Sequence, residues 1–245
     1  MTARAVILAA GRATRLRPLT DALPKCLLDV GGRSIVSRAV SILAAHGVQG
    51  ITVVDGFMGE LLRSALLSEF PREWFTFVRN EVWATTNNSY SLHLARFTGE
   101  PLLLLDGDIL FDPAVIGRML ADAHPNRLAL RTRGGLGEEE VKVTLTPDGR
   151  IADISKTMPP ASAAGESVGI ELFCTEFTAD LFRTLERRMT LENRVNEWYE
   201  ASFVELIAGG AAIHPVDLGD LECMEIDTAE DLERARRTFA PPPAQ

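Results

Sequence analysis

The sequence predicts an α/β protein whose mostly parallel, Rossmann-like sheet is covered by helices on both faces. Three observations carry this prediction. Continuous apolar runs of strand length alternate with amphipathic helical segments, as in a parallel sheet buried on both sides. The first run ends in a loop of small and basic residues, and such sheets bind ligands at the carboxyl ends of their strands. After about residue 127 shorter strands and a hairpin turn predict a smaller, mixed or antiparallel region.

The elements follow from hydrophobic periodicity taken along the chain. In the first half, strands are predicted at 3–9, 51–54, 75–78 and 101–105, and helices at 34–46, 59–69 and 88–96. Gly47 is a stop signal for the first helix. In the second half, strands are predicted at 128–131, 141–145, 151–154 and 168–173, and helices at 178–189, 195–208 and 229–238. The segment 146–150 has the composition of a hairpin turn.

Length and composition suit a single globular domain. The 245 residues are expected to form one domain over 1–239, with halves at about 1–126 and 127–239. The proline-rich tail at 240–245 is predicted to be disordered. No apolar run approaches the ~20 residues of a membrane span. The apolar segment 5–10 ends too early, at Gly11, for a secretory signal, so a cytoplasmic protein is expected.

Charge and cysteine usage narrow the possible partners. With 34 acidic and 25 basic residues the net charge is −9, which disfavours nucleic acid and anionic membranes as partners. Cys26, Cys174 and Cys223 are far apart and are expected to be free thiols rather than disulfide or zinc ligands. Only three lysines occur, and one of them, Lys25, follows the first loop. For Lys142 and Lys156, the sequence favours neither a chemical role nor presence by chance.

The first loop has the composition of a phosphate-binding segment. Residues 8–20 combine small side chains with basic ones, and Pro24 and Lys25 follow. Small residues let backbone N–H groups approach a polyphosphate, while Arg15 and Lys25 can neutralise its charge. The patterns GxxxxGK[ST] and GxGxxG are both absent, which argues against P-loop NTPases and dinucleotide-dependent oxidoreductases.

This loop resembles the N-terminal signature of the nucleotidyltransferases that activate sugar phosphates and phosphoalcohols, LAAGxGxRLxPLTxxxPK. The resemblance continues, in order, through 105–108, 168–173 and 225–228. One departure is Ala13, which replaces the second glycine of the signature. The resemblance implies a glycosyltransferase-A-like fold, with Arg15 on the β- and γ-phosphates and Lys25 between the α-phosphate and the incoming phosphate. It further implies that nucleotide contacts come from Leu8, Ala10, Gly11, Arg12, Ala13 and Thr14.

Two aspartates are the candidate metal ligands. Asp108 follows the most apolar predicted strand, and Asp227 precedes the last predicted helix. Divalent cations prefer several carboxylate oxygens, and the resemblance implies Mg²⁺ held between these two residues. Asp106 is a further candidate for nucleotide binding. The alternatives are that Asp108 caps a turn and that Asp227 is the N-cap of the last helix.

The segment 79–92 points to one branch of that superfamily. Asn80 and the pair at 87–88, followed by Tyr-Ser-Leu, are similar to the phosphocholine cytidylyltransferases. An amide group offers both a donor and an acceptor, so Asn80 and Asn88 are candidates for contacting the cytosine base or its ribose. The alternative is that Asn87 or Asn88 only caps the helix that follows.

The acceptor end is expected near residues 196–200. Trp198, Tyr199 and Glu200 combine two aromatic rings and an acid, a pattern that attracts an ammonium group through cation–π and Coulomb attraction. The alternative is that an amphipathic helix packs both rings into the core of the protein. Glu171 is a possible further partner of the acceptor, and the resemblance implies Lys156 as a ligand for the acceptor phosphate.

These observations predict a Mg²⁺-dependent cytidylyltransferase. It would transfer CMP from CTP to a small phosphorylated or phosphonylated alcohol or amine and release pyrophosphate. The acceptors considered are phosphocholine, 2-aminoethyl- or 2-hydroxyethylphosphonate, and a polyol phosphate. The alternatives are a sugar-1-phosphate nucleotidyltransferase that uses UTP or dTTP and a catalytically silent nucleotide-binding protein. A homodimer is left open.

Overall fold

The computed structural model describes residues 3–239, so the prediction for the tail at 240–245 lies outside the described residues. The strands are Arg4–Ala9 (β1), Ile51–Asp55 (β2), Phe75–Arg79 (β3), Leu102–Asp106 (β4), Ile109–Phe111 (β5), Arg127–Arg131 (β6), Val141–Leu145 (β7), Ile151–Ser155 (β8), Gly165–Phe173 (β9), His214–Asp217 (β10) and Cys223–Glu225 (β11). The α-helices are Ile35–Ala45 (α1), Gly59–Glu69 (α2), Asn88–Leu94 (α3), Ala114–Ala121 (α4), Thr175–Thr190 (α5), Glu200–Ala208 (α6) and Ala229–Thr238 (α7).

The main sheet confirms the predicted α/β fold. Its strands run in the order β10, β6, β9, β4, β1, β2, β3, and β7 adds to β9 with β8 beside it. The pairs β1–β2, β1–β4 and β2–β3 are parallel, whereas β9 is antiparallel to both β4 and β6. The strands β7 and β8 are also antiparallel, which confirms the mixed character predicted for the second half. Strands from both predicted halves, before and after about residue 127, therefore belong to one sheet.

Apolar cores lie on both faces of this sheet, which explains the continuous apolar strands. One core joins β1 and β2 with α1, α2 and α4, and the other joins β4 with α3, α5 and α6. Residues of β1 alternate between the two cores, as with Val6 and Ile7. A smaller core under the first loop joins Leu16 and Leu28 to α7. It anchors the loop and the last helix to each other.

The helix predicted at 195–208 is wrong at its beginning, because α6 starts only at Glu200. Backbone groups of the preceding residues form hydrogen bonds with the beginning of α3 instead. The Val195 carbonyl accepts a hydrogen bond from the Asn87 N–H at 2.9 Å, and the Tyr199 N–H donates to Asn88 Oδ1 at 3.1 Å. Residues 195–199 therefore form turns that tie two distant parts of the chain together.

Four further elements have no sequence prediction. They are β5, α4, β10 and β11. The strands have three or four residues each, too short for an alternation to stand out. The helix α4 has only eight residues, and Gly117 lies inside it, which weakens its helical signal. Within residues 3–239, no helix is both long and apolar enough to cross a membrane.

Candidate active site

A cleft opens where β1 and β4 end, at the edge of the sheet where the sequence places the ligand. Its volume is about 530 Å³, within the range of small-molecule sites. Gly107 lets the two strand ends approach, because a Cβ there would lie 2.6 Å from the Leu8 carbonyl oxygen. The close approach brings Asp106 and Asp108 against the first loop.

The first loop forms one wall of this cleft, and most of its predicted nucleotide contacts line it. The cleft lining includes Leu8, Ala10, Gly11, Ala13 and Arg15, whereas Arg12 and Thr14 line an adjoining pocket. Ala13 adopts a left-handed conformation with φ of 53° and ψ of 62°. An L-residue with a side chain pays about 1–2 kcal/mol for this conformation. The departure from the family signature therefore falls at a position where glycine would be unstrained.

Lys25 lies between two predicted metal ligands. The Lys25 Nζ is 2.8 Å from Asp108 Oδ2 and 2.7 Å from Asp227 Oδ1. Lys25 as a whole is only 7% exposed. Burial alone would lower the pKa of Lys25, but Asp108, Asp227 and Glu225 more than offset it and raise that pKa. Arg15 donates to the other oxygen of Asp227 at 2.6 Å. The ammonium of Lys25 is thus charged and held in one place.

A third carboxylate, Glu225, joins this cluster and was missed by the sequence analysis. Oxygens of Asp108, Glu225 and Asp227 all lie within 4.8 Å of one another, a spacing that suits a divalent cation. Burial, followed by the charge of Asp108, raises the pKa of Glu225 to about 8. The signal was present in the sequence, because Glu225 and Asp227 flank the buried Ile226 in extended backbone.

The alternative of Asp227 as the N-cap of the last helix is wrong. Thr228 is the N-cap of α7, and its side chain exchanges hydrogen bonds with Asp231 in a capping box. Burial alone would raise the pKa of Asp227, but Lys25 and Arg15 offset it and lower that pKa. Asp227 is therefore ionised and available to the cluster.

The asparagines of the 79–92 segment have largely structural partners. Asn80 lines the cleft, but its amide nitrogen donates to Thr86 and Ser91 at 3.1 Å each, and its oxygen accepts from the Val82 N–H at 3.0 Å. Both N–H donors of the amide are therefore used within the protein, and only one lone pair of its oxygen remains. Asn87, not Asn88, caps α3. Asn88 faces the cleft while its oxygen accepts from Tyr199.

Trp83 is a cleft residue within the segment 79–92 that the sequence analysis did not select. It lines both the cleft and the adjoining pocket, and its ring meets Phe57 edge-on with centroids 5.4 Å apart. Gly56 keeps room for it, since a Cβ there would lie 2.7 Å from the Trp83 Cβ. A half-buried indole at this place offers a flat face on which a nucleobase can stack.

The residues predicted to bind the acceptor divide into two groups. Trp198, Glu200 and Lys156 line the cleft, and the Lys156 Nζ lies 5.2 Å from the centroid of the Trp198 ring. Tyr199 is 0% exposed and packs on Phe203 in the core, so the prediction that both rings line one ammonium pocket is wrong for Tyr199.

Glu171 also lies behind the cleft wall rather than in it. It is 0% exposed, and Ser167 Oγ donates to its Oε1 at 3.3 Å. Asp106 lines the cleft in front of it and accepts the Tyr199 hydroxyl at 3.0 Å. Burial, and then the charge of neighbouring acids, raises the pKa of both carboxyls well above their usual values. The prediction that Glu171 contacts the acceptor directly is therefore not supported by its position, because the side chain does not line the cleft.

A family comparison agrees with this geometry. The model of the MobA-like NTP transferase domain matches residues 5–233, nearly the whole described chain. The chain belongs to this family. The resemblance inferred from the loop signature is thereby confirmed, and the protein is a member of the nucleotidyltransferases.

Individual relatives of this NTP transferase domain include cytidylyl-transferring proteins. A CMP-5'-(3-aminopropyl)phosphonate synthase from Streptomyces rubellomurinus is 32% identical over 99% of this chain and 40% of its own length. A bifunctional IPC transferase and DIPP synthase from Aquifex aeolicus is 28% identical over 97% of this chain and 52% of its own length. The chain thus spans about half the length of these curated relatives.

A solved structure supports the fold of the NTP transferase domain. That of a CTP:phosphocholine cytidylyltransferase from Streptococcus pneumoniae has a TM-score of 0.79 and 20% identity, covering 98% of this chain and 100% of its own. At this identity the likeness shows the shared fold.

The two neighbouring aromatic residues are expected to respond differently to truncation. Tyr199→Ala should lower the free energy of unfolding by about 3–5 kcal/mol, because it empties a buried ring site. Trp198→Ala should change it by no more than about 1 kcal/mol, because that side chain is half-exposed. Urea unfolding monitored by circular dichroism measures both. Equal losses in the two variants would contradict this division, and Tyr199→Phe serves as a milder variant if Tyr199→Ala does not fold.

Lys142 has a structural role in the NTP transferase domain. It is 0% exposed, and its Nζ donates to the carbonyls of Glu138, Glu140 and Lys156 at 2.7, 3.0 and 2.8 Å. Three carbonyl acceptors satisfy all donors of the ammonium. It thereby joins the 138–140 loop to the residue that faces Trp198.

Proposed function

We propose that the chain is a Mg²⁺-dependent cytidylyltransferase that joins CTP to a small phosphate or phosphonate acceptor and releases pyrophosphate. The observation that carries the proposal is the position of Lys25, which is held between Asp108 and Asp227 at the strand ends and beside the basic first loop. A fixed cation beside a metal-binding carboxylate cluster is what transfer between phosphates requires.

The charge of the cleft supports a metal cofactor. Nine acidic side chains line it against five basic ones, which leaves little net positive charge for a triphosphate without a metal ion. The residues present fit Mg²⁺, because Asp108, Glu225 and Asp227 offer the oxygen ligands that this ion prefers. When bound, the ion would neutralise phosphate charge and orient the reacting phosphate.

The chain's own residues position the phosphates and stabilise their charge. Lys25 can bridge the α-phosphate and the attacking phosphate oxygen, because its ammonium is a compact point charge in a fixed position. Arg15, half-exposed at the cleft, can move from Asp227 to the departing pyrophosphate. The proposal needs no covalent intermediate. Burial raises the pKa of the cleft thiol Cys26 to about 12, so this thiol is protonated and a poor nucleophile.

The donor is proposed to be CTP on the basis of the relatives. The Streptomyces protein is named for a CMP product and the Streptococcus structure for a CTP substrate. Trp83 supplies a stacking face for the base, and Asn88 is the amide that remains beside the cleft. Because Asn80 is bonded within its own loop, we propose a positioning role for it rather than base contact.

The acceptor is proposed to bind at the Trp198 end of the cleft. Lys156 and Glu200 offer opposite charges there, which suits an acceptor that carries both an anionic phosphorus group and a cationic amine. Aminoalkylphosphonates and phosphocholine share that arrangement, as the names of the two cytidylyl-transferring relatives suggest.

A matrix of donors and acceptors tests the proposed function. Pyrophosphate release is measured with CTP, UTP, dTTP and ATP against phosphocholine, 2-aminoethylphosphonate, 2-hydroxyethylphosphonate and glucose 1-phosphate, with and without Mg²⁺. We expect release only with Mg²⁺, and faster release with CTP and a phosphonate or phosphoalcohol than with any other pair. Release that is fastest with UTP or dTTP and glucose 1-phosphate would assign the sugar-activating reaction instead. No release with any pair would contradict an enzymatic function for this chain.

A further inference from the structure

We propose that Glu200 selects acceptors with a protonated primary amine over acceptors with a trimethylammonium group. The inference rests on the proposed function, since it names the acceptor class of the same cleft. Glu200 is the first residue of α6, lines the cleft and is 8% exposed. Its Oε2 is buried and accepts no hydrogen bond from residues 3–239. A carboxylate oxygen in this state is complementary to an N–H donor.

The number of N–H groups distinguishes the two ammonium classes. A primary ammonium has three donors, and a trimethylammonium group has none. A buried acceptor left without a donor keeps its full desolvation cost, so a ligand that supplies the donor recovers that cost. Burial, only partly countered by the backbone and by Lys156, raises the pKa of Glu200 to about 7. A cation with N–H groups is therefore the partner that this carboxylate lacks.

A second unpartnered acceptor lies near Glu200. Asp106 and Glu171 lie in the same buried region, where burial raises the pKa of both, and Asp106 accepts the Tyr199 hydroxyl at 3.0 Å. The Glu171 Oε2, like that of Glu200, accepts no hydrogen bond from the described residues. An ammonium with N–H groups can approach such oxygens more closely than one whose methyl groups keep its nitrogen at a distance.

The aromatic surface at this end is too small for a quaternary ammonium cage. Cages of that kind surround the methyl groups with several rings. Tyr199 points into the core, and the other tryptophan of the cleft, Trp83, lies beside the first loop, so Trp198 alone supplies a face here among the described residues. The Lys156 ammonium, itself a primary amine, already lies over that face.

A series of N-methylated acceptors tests the inference. With CTP and Mg²⁺, kcat/KM is measured for 2-aminoethylphosphonate and its mono-, di- and trimethylated derivatives. We expect the wild-type value to fall by about tenfold to a hundredfold from the primary to the trimethylated compound, the worth of a charged hydrogen bond. Glu200→Gln should reduce that difference to about threefold or less, because the charge is lost while the shape is kept. Glu73→Gln, an exposed charge-matched control, should keep the wild-type series.

Calorimetric titration of the same four phosphonates without CTP gives a second measurement. The same order of affinities, and its loss in Glu200→Gln, is expected. A flat wild-type series, or an unchanged preference in Glu200→Gln, would overturn the inference while leaving cytidylyl transfer in place. Selective binding without any pyrophosphate release would overturn the proposed function and support the role of Glu200. Neither binding nor release would overturn both.

Discussion

Asp227→Asn is expected to lower turnover by about a hundredfold or more while the protein stays folded. Asp227 contacts Lys25 and Arg15 through separate oxygens and belongs to the three-carboxylate cluster. Loss of its charge weakens a bound Mg²⁺ and releases both cations from their positions. The fold should survive, because the N-cap of α7 is Thr228 and the buried Lys25 keeps Asp108 as a partner.

Turnover is measured across a Mg²⁺ titration, with circular dichroism as the check on folding. Asp108→Asn should have a similar effect, since it removes the other direct partner of Lys25. Glu230→Gln is the matched control, because Glu230 is exposed in the first turn of the same helix and does not line the cleft. Near-normal rates of both aspartate variants at saturating Mg²⁺ would show that these carboxylates do not hold the metal.

The sequence could predict those parts of the site that are set by local sequence pattern. Apolar strands followed at once by polar residues give the edge of a parallel sheet, so the meeting of Arg15, Lys25 and Asp108 follows from local pattern and fold class. The position of Asp227 beside Lys25, 202 residues earlier in the chain, was predicted only from the family resemblance. No spacing rule links residues so far apart.

What the sequence could not predict is the direction of adjacent side chains outside regular elements. Trp198 and Tyr199 are next to each other in a turn, and neither the period of a helix nor that of a strand applies there. In the folded chain the Tyr199 N–H bonds to the Asn88 side chain, the phenol enters the core and the indole stays at the cleft. Likewise, the partners that use the amide of Asn80 depend on the folded loop.

The order in which the strands pair is a second feature that the sequence could not predict. The strand β9 lies between β4 and β6 and runs antiparallel to both, although its composition resembles that of the parallel strands. The short pair β5–β11 is stabilised by long-range contact, and it carries Glu225 beside Asp108. Contacts between segments this distant are set by packing rather than by local propensity.

Lys25→Met is expected to lower turnover by about 10²–10³-fold, more than Lys25→Arg. The lysine is nearly buried, and its ammonium lies within 2.8 Å of two carboxylates. Methionine keeps much of the volume but removes the charge that would bridge two phosphates. Arginine restores the charge as a planar, larger group that does not fit the same point between Asp108 and Asp227, so it should recover only part of the activity.

The same variant gives a test that does not depend on turnover. Without Lys25, the carboxylates of Asp108, Glu225 and Asp227 are left within 4.8 Å of one another and without the cation that lies among them. We expect the free energy of unfolding to fall by about 1–3 kcal/mol, less than for a fully buried ion pair because the aspartates are partly exposed. Mg²⁺ should restore stability by binding the folded state, and it should raise the melting temperature more in Lys25→Met than in the wild type.

Thermal unfolding of the wild type, Lys25→Met and the double variant Lys25→Met/Asp227→Asn, each with and without Mg²⁺, separates a metal site from simple repulsion. If the three carboxylates hold the metal, removal of Asp227 should abolish most of the Mg²⁺-dependent gain, because two ligands and a lower charge bind the ion weakly. If the cluster only repels itself, the double variant should be more stable than Lys25→Met at every Mg²⁺ concentration, and the ion should add little to either. An equal Mg²⁺-dependent rise in melting temperature in all three proteins would show that the metal binds elsewhere. Lys25 would then act only on the phosphates.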